Sequence, residues 1–141
     1  MASASKFNSF VNWLAQANTN LHADTLKVFL TNTAPVATNS IYSDISANDL
    51  STANGYTAGG ATASLSSDGQ TSGTYKLILS NVTWTATGAV GPFRYAVLYD
   101  STPASNKSLI LFWDYGSSVT LASGDTFTVS FDATNGVLTI A

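Results

Sequence analysis

Residues 82–100 read VTWTATGAVGPFRYAVLYD. Two runs rich in aromatic and β-branched residues flank a Gly-Pro-containing turn, a pattern that favours two strands. In the second run, strand alternation places four side chains on one face: Phe93, Tyr95, Val97 and Tyr99. The opposite face carries Arg94, Ala96, Leu98 and Asp100. The stretch therefore predicts a β fold, and it sets the only arginine of the chain inside a strand.

A second strand is predicted upstream, at residues 25–32 (TLKVFLTN). Its residues alternate, so we expect a half-buried strand with Leu26, Val28 and Leu30 facing the core. Downstream, short apolar runs continue over residues 74–140 and are separated by turns. We expect about seven or eight strands in total, folded as a mainly β, antiparallel β-sandwich or a jelly-roll-like barrel.

Two connections within residues 74–140 carry specific signals. Residues 74–79 and 82–87 are separated by only Ser80 and Asn81, so they form either two strands or one bulged strand. Asn135-Gly136 is a strong hairpin signal and predicts a tight turn before the last strand.

The N-terminal segment is the one candidate for a helix, which we place at residues 4–17. Four apolar side chains fall at helical spacing: Phe7, Phe10, Val11 and Leu14. Trp13 lies beside this face and widens it, and Ser3 or Ser5 is the expected N-cap. The helix either packs on the domain's own sheet, which we favour, or docks on a partner through Phe10 and Trp13.

Residues 33–73 form a long segment rich in Asn, Ser, Thr, Ala and Gly and poor in large apolar residues. A structureless span of about forty residues is improbable in a compact domain, so we expect ordered loops around one or two short strands. GYTAGG (55–60) surrounds Tyr56 with glycines, which suits a backbone with positive φ. Because long loops often carry function, we expect the segment to contact a partner, and we expect deletion of residues 38–53 to leave a folded β core but to weaken oligomer formation or binding to that partner.

The composition is unusually poor in charge. The chain has 141 residues, which fits one domain spanning residues 1–141. Only 9% of residues are charged, against about 25% in an average domain. One explanation for the low charge content is that the surface is covered by another subunit, since this would desolvate few ions. The alternative explanation is compositional drift in a stable β protein. With a net charge of −3 and five scattered basic residues, we expect no nucleic-acid partner.

Signals for membranes and export are missing from the sequence. No run approaches the roughly eighteen apolar residues that span a bilayer, so we expect no membrane partner. The N-terminal residues MASASKF lack the charged start and apolar middle of a secretion signal. We therefore expect the protein to fold in the cytoplasm in which it is made.

Residues able to perform catalysis or bind metal are few. His22 is the only histidine, and cysteine and glutamate do not occur, so we expect no metal site and no cofactor. No G-x-S-x-G motif accompanies His22, which argues against a hydrolase triad. Several acids offer carboxylate pairs, yet they fall at predicted strand ends and turns, where Asp commonly bonds to backbone: Asp100, Asp114, Asp125 and Asp132. We therefore expect no enzyme activity.

Arg94 has two interpretations. Asp114, in the neighbouring predicted strand, lies near it if the two strands pair. A planar arginine stacked on aromatic rings and paired to an Asp is a common structural arrangement, and we favour it. The alternative is an arginine that lies at an interface with a partner.

Several stretches, taken in order, resemble a family of small virion proteins of tailed bacteriophages. They are TLKVFLTNTAP (25–35), GYTAGG (55–60), VTWTATGAVGPFRYAVLYD (82–100) and LFWDYGSSVTLASGDTFTVSFDATNGVLTIA (111–141). The resemblance spans nearly the whole chain, and GYTAGG and GPFRYAVLYD are its most specific pieces. It assigns a role to no individual residue.

The resemblance implies a structural protein of the virion, folded in the bacterial host. Similarity to capsid decoration, or cement, proteins is the reading we prefer; it implies a homo-oligomer, a trimer rather than a dimer, bound to the major capsid protein on the capsid surface. The alternative is a tail or fibre module that binds a host surface carbohydrate. For that role Tyr42 and Tyr56, in polar loops, are the candidate aromatic residues, since Trp84 and Trp113 lie in apolar strands.

Overall fold

The computed structural model describes residues 2–141 and places the strands in three antiparallel sheets. The largest contains, in spatial order, β1 (Ala4–Lys6), β8 (Leu109–Leu121), β7 (Val90–Asp100), β2 (Leu26–Thr31) and β3 (Ala61–Thr62). The second contains β10 (Leu138–Ile140), β5 (Thr74–Leu79) and β4 (Leu65–Thr71), and the third pairs β6 (Val82–Thr85) with β9 (Thr126–Val129). One helix, α1 (Phe10–Ala15), and two 3₁₀ turns, Tyr42–Asp44 and Ser46–Asn48, complete the fold. The predicted mainly β, antiparallel, sandwich-like fold is confirmed.

The main core lies between the large sheet and the two small sheets. From β2 it takes Leu26, Val28 and Leu30, the three side chains that alternation assigned to the core. From the small sheets it takes buried side chains that include Leu77, Leu79, Val82 and Trp84. The alternating apolar residues of the strands thus bury one face of each sheet, as expected for a sandwich.

A second core covers the opposite face of the large sheet. Its buried residues are Phe7, Phe29, Ile45, Val97, Tyr99 and Leu109. Because successive strand residues point to opposite faces, β2 contributes Phe29 here and its neighbours to the main core. The prediction of a half-buried strand was therefore wrong: β2 is buried on both faces. Residues 42–48 cover this side, so part of the long loop segment packs on its own sheet.

Irregular pairing between β7 and β8 accompanies a change in the predicted faces of β7. Phe93 pairs with Val119 and Tyr95 with Asp114, so a step of two residues along β7 matches a step of five along β8. As a result, Phe93 lies in the main core with Ala96 and Leu98, while Val97 lies in the second core. Simple alternation had placed Phe93 on the face of Val97, and the irregular register overturns that assignment.

The helix is shorter than the predicted 4–17. Residues 4–6 form β1, which pairs with the edge of β8 and thereby satisfies its backbone groups. Ser9, rather than Ser3 or Ser5, occupies the N-cap position of α1, and its side chain makes no capping hydrogen bond there. Phe10 is buried in the main core, and the Trp13 Nε1–H donates to Ser40 Oγ at 3.1 Å. The helix therefore packs on its own domain, the interpretation that we favoured.

The two small sheets are connected differently from the prediction. Asn135-Gly136 does not close a hairpin, because β9 pairs with β6 while β10 pairs with β5. Gly136, at φ +85°, instead ends a turn in which the Asp132 carboxylate accepts the backbone N–H groups of Thr134 and Asn135. Likewise β5 and β6 are separate strands in different sheets, not one bulged strand.

Candidate functional site

Arg94 and Asp114 form the ion pair that the sequence suggested. Asp114 lies directly across from Tyr95 in the β7–β8 pairing. The Arg94 Nε–H donates to Asp114 Oδ1 at 2.7 Å, and Nη2–H donates to Oδ2 at 2.8 Å. The Arg94 hydrogen bond, together with that from the Gly116 N–H, lowers the pKa of Asp114. The guanidinium also lies 5.4 Å from the centroid of the Tyr95 ring.

This ion pair is accessible to solvent, with side chains 38% exposed for Arg94 and 43% for Asp114. Exposed ion pairs generally contribute little to stability, and bidentate geometry of the kind seen here places this pair among the stronger examples. Arg94 is therefore paired as we expected, but breaking its exposed pair with Asp114 should lower the free energy of unfolding less than breaking a buried pair would.

Beside Arg94 lies a groove of about 210 Å³, lined mainly by residues of β7, β8 and β9. Its lining residues include Phe93, Arg94, Tyr95, Trp113, Tyr115 and Phe127. Tyr115 is 58% exposed and packs edge-on against Phe127, with ring centroids 5.8 Å apart. The groove, hereafter the aromatic groove, thus presents an exposed ring whose orientation is fixed by a partly buried one.

Tyr42 and Tyr56 do not form the exposed aromatic pair that the sequence suggested. Tyr56 is only 2% exposed, and Tyr42 is half-buried. Both hydroxyls donate to the carboxylate of Asp49, at 2.8 Å from Tyr42 and 2.5 Å from Tyr56. Burial, and then the hydrogen bond to Asp49, raises the pKa of both tyrosines. The two rings are therefore parts of the fold.

Asp49 is the residue that sequence reasoning missed. Its Oδ2 also accepts the Gly59 N–H at 2.5 Å, and the Gly59 carbonyl accepts the hydroxyl of Tyr99 at 2.8 Å. Gly60, at φ +75°, lies so close to β2 that a β-carbon would be 1.8 Å from the Val28 carbonyl oxygen. The GYTAGG motif is thus a structural brace, which we call the Asp49 brace. A single Asp in a polar loop gives no sequence signal of such a role.

A second carboxylate is buried at the end of β7. Asp100 is 0% exposed; its Oδ1 accepts the Thr102 N–H at 3.0 Å, while its Oδ2 is buried without a hydrogen-bond donor among residues 2–141. Burial raises the pKa of Asp100 to about 7, against the opposing Thr102 bond and with a further contribution from the carboxyl of Asp24. This acid pair, Asp24 and Asp100, differs from the pairs that the sequence suggested.

His22 lies on the surface beside two partners. Its Nδ1 is 3.1 Å from Asp68 Oδ2, and the Tyr75 hydroxyl donates to the same oxygen at 2.9 Å. These hydrogen bonds, that of Tyr75 first, lower the pKa of Asp68. Within residues 2–141, no group of three or more His, Cys, Asp or Glu side chains is arranged to hold a metal ion.

Each of the eight acidic side chains accepts at least one hydrogen bond from within the chain. The set comprises Asp24, Asp44, Asp49, Asp68, Asp100, Asp114, Asp125 and Asp132. Asp44, Asp125 and Asp132 accept backbone N–H groups at turns, which is the usual local use of Asp. The acidic side chains therefore hold loops and turns in place, and apart from the adjacent pair Asp24 and Asp100 they are dispersed over the molecule.

Comparisons with protein-family models, with curated proteins and with solved structures found no match. In residues 2–141 we also found no helix of the length and apolar character needed to cross a membrane.

Proposed function

We propose that this chain is a non-enzymatic structural protein of a tailed-bacteriophage virion, a capsid decoration protein that stabilises the head. The observation that carries the proposal is that each of the eight acidic side chains accepts a hydrogen bond from within the chain. General acid–base catalysis needs a carboxyl group positioned to exchange a proton with a substrate, whereas these groups accept hydrogen bonds from backbone N–H groups, from tyrosine hydroxyls and, at Asp114, from Arg94. The resemblance of GYTAGG and GPFRYAVLYD to small phage virion proteins supplies the biological setting.

The outer surface supports the same proposal. Its exposed positions carry mostly Ser, Thr, Asn, Ala and Gly, and the charged residues amount to 9% of the chain. Covering hydroxyl and amide groups that find new hydrogen-bond partners costs little, whereas covering ions is expensive. We propose a homo-oligomer, a trimer rather than a dimer, that binds the major capsid protein after folding in the host cytoplasm. Closed symmetry would let identical patches meet around an axis of the head.

The alternative role, a tail or fibre module that binds host carbohydrate, loses the two tyrosines on which it depended. Tyr56 is buried, and the hydroxyls of Tyr42 and Tyr56 are both bound to Asp49. A head location is therefore the proposal that we retain.

The test is binding of the purified full chain to mature capsids that lack it. We expect co-sedimentation with capsids, saturation at a fixed copy number, and an oligomer by light scattering. A monomer that stays in the supernatant would contradict the proposal, as would electron microscopy that locates the protein on the tail.

A charge scan sharpens this experiment by asking which surface is covered. Val36, Ser66 and Ser117 are exposed on three separate segments. Each of these three residues is replaced by Asp in a separate variant. The variant whose Asp lies in the capsid interface should bind capsids more weakly, because the interface must then desolvate an ion. The other two variants carry the same added charge outside the interface and serve as matched controls, and all three should melt like the wild type.

A further inference from the structure

We propose that the acid pair, Asp24 and Asp100, binds a calcium ion. The inference goes beyond the proposed function, since it concerns an ion held within one chain and not the attachment of the protein to the particle. It also revises the expectation from sequence that the chain has no metal site. That expectation considered the only histidine, whereas this site depends on two carboxylates and neutral oxygens.

The first observation is a buried carboxylate oxygen to which the chain supplies no donor. Asp100 is 0% exposed and lies directly across from Leu26, whose side chain is in the main core. Its Oδ1 accepts the Thr102 N–H, whereas Oδ2 has no hydrogen-bond donor among residues 2–141. An unpaired buried charge is expensive, so buried carboxylates are normally paired or bound to a metal. Asp100 Oδ2 therefore points to a partner from outside the chain.

A second carboxylate lies beside Asp100. Asp24 precedes Leu26 by two residues, so strand alternation places it on the same side of the sheet as Asp100. The two carboxyl groups lie within hydrogen-bond reach of each other, and the Asn20 N–H holds Asp24 by donating to its Oδ2 at 2.7 Å. Because like charges repel, both groups can be ionised at this separation only when a cation accompanies them.

The charge of the acid pair is not neutralised by a basic side chain of residues 2–141. The ion pairs in this part of the chain are those of His22 and Arg94, and neither involves Asp24 or Asp100. Two ionised carboxylates carry a charge of about −2, which a divalent cation balances.

The neighbouring groups favour a hard cation. The Asp100 N–H donates to the Ser108 carbonyl at 2.9 Å, so the two residues lie opposite each other and their side chains share one side of the sheet. The Ser108 hydroxyl is hydrogen-bonded to that of Thr19, and both residues are buried. This end of the sheet thus offers carboxylate and hydroxyl oxygens, the ligand type that suits calcium and magnesium.

The arrangement of the carboxylates favours calcium over magnesium. Asp24 belongs to the loop before β2, and Asp100 is the last residue of β7. Ca²⁺ accepts irregular sets of oxygens from such separate segments, whereas Mg²⁺ requires a near-ideal octahedron and loses its water reluctantly. Because the site has only two charged ligands, we expect a Kd of about 10⁻⁴–10⁻³ M, the range of the weaker calcium sites.

The experiment is thermal unfolding of the EDTA-treated full chain, with either CaCl₂ or MgCl₂ added to about 10 mM at a constant pH of about 8. The pH is held constant because protons compete with a metal for the same carboxylates. We expect Ca²⁺ to raise the Tm by at least about 4 °C relative to EDTA, and Mg²⁺ to raise it clearly less. In an NMR titration of the ¹⁵N-labelled wild type, CaCl₂ should shift the amide signals of residues 20–25 and 100–102 in a saturable way.

Matched variants locate the ion. Asp24→Asn keeps an oxygen for the Asn20 N–H but removes the charge, and it should lose the Ca²⁺-induced rise in Tm, as should Asp100→Asn. Asp44→Asn is the control and should keep the full rise, since Asp44 Oδ2 also accepts an N–H from four residues earlier, that of Ser40 at 2.8 Å. Each variant is compared with itself in Ca²⁺ and in EDTA, so its own effect on stability cancels.

Three results would overturn the proposal. One is that Ca²⁺ leaves both the Tm and the amide signals of residues 20–25 and 100–102 unchanged, which would mean that only a proton joins the two carboxyl groups. Another is that Asp24→Asn and Asp100→Asn respond to Ca²⁺ like the wild type. The third is that the amide signals shifted by Ca²⁺ belong to other parts of the chain. The NMR titration uses the wild type, so it decides the question even when a variant does not fold.

Discussion

The Tyr56 hydroxyl donates to Oδ1 of Asp49 at 2.5 Å and accepts the backbone N–H of Leu30 at 3.0 Å. One buried oxygen thus joins the loop segment that carries Asp49 to the central strand β2. A buried hydroxyl with both a donor and an acceptor is fully satisfied, so it fixes the position of the loops without leaving an unpaired polar group.

Tyr56→Phe should lower the free energy of unfolding by about 1–3 kcal/mol. The substitution keeps the ring but leaves the Leu30 N–H without its acceptor and Asp49 without one donor. Tyr42→Phe removes a hydroxyl from the same carboxylate at a half-buried position and should cost less. Urea denaturation of the two variants measures the difference, and equal effects would argue against the central role of Tyr56.

Gly60→Ala should destabilise the fold by at least about 3 kcal/mol or prevent folding. The residue has φ +75°, and a β-carbon would meet the Val28 carbonyl oxygen at 1.8 Å. Gly69→Ala is the matched control, since a β-carbon there meets nothing within 4 Å. Thermal unfolding of both variants tests the closeness of the Asp49 brace to β2; a Gly60→Ala protein that melts like the control would refute it.

Stability should fall as the pH rises from about 4 to about 7. Burial raises the pKa of Asp100 from 3.8 to about 7, so the folded state keeps a proton that the unfolded state has already released. The unfolded state binds fewer protons across this window, and the free energy of unfolding then decreases by up to about 1.4 kcal/mol per pH unit. Denaturation at a series of pH values measures the slope.

Asp100→Asn should remove this part of the pH dependence and raise stability at pH 8. Asparagine is uncharged and keeps an oxygen that can accept the Thr102 N–H. Asp100→Ala, the comparison, loses that acceptor and should be less stable than Asp100→Asn at every pH. An Asn variant that retains the wild-type slope would show that another group is responsible.

Arg94→Ala should lower the melting temperature less than Tyr56→Phe does. Arg94 and Asp114 are both accessible to water, so the separated groups are rehydrated when the pair is broken. Arg94→Lys should melt close to the wild type for the same reason. A loss of stability as large as that of Tyr56→Phe would mean that the pair supports the β7–β8 ribbon more strongly than its exposure implies.

Deleting residues 38–53 should prevent stable folding, contrary to the expectation from sequence that the segment is dispensable. The deletion removes Ile45 and Asp49 and uncovers Phe29 and Val97 in the second core. Circular dichroism and thermal unfolding of the shortened chain provide the test. A cooperative transition near the wild-type temperature would show that the large sheet tolerates exposure of this face.

The positions and faces of single strands can be predicted from the sequence more reliably than the pairing of strands that are far apart in the chain. Alternation identified the core side of β2 at Leu26, Val28 and Leu30, because a period of two is a local property of the chain. The Arg94–Asp114 pair also followed from sequence once the two strands were taken as neighbours. These predictions depend on spacing within a strand or between adjacent strands, which the residues themselves encode.

Other features depend on contacts that spacing does not encode. Asn135-Gly136 specifies a turn with positive φ at Gly136 but does not specify that the strands on either side pair with each other. In the structure the chain passes at this turn from the sheet of β9 to the sheet of β10, and no hairpin forms. The irregular pairing of β7 with β8 leaves Phe93 on the other face of the sheet from Val97. Asp49 acquires its role only when the loop folds back so that Tyr42, Tyr56 and Gly59, seven to ten residues away along the chain, all donate to its carboxylate.

The double burial of the central strands has a consequence for amide hydrogen exchange. Opening β2 or β7 disrupts both cores at once, so amides such as those of Leu30 and Val97 should exchange with deuterium only through global unfolding. The hairpin of β4 and β5 is different, because most of β4 is exposed and lies at the edge of its sheet. Its amides should exchange through local opening, orders of magnitude faster than those of β2 and β7. Slowly and rapidly exchanging amides should therefore occur within the same small protein.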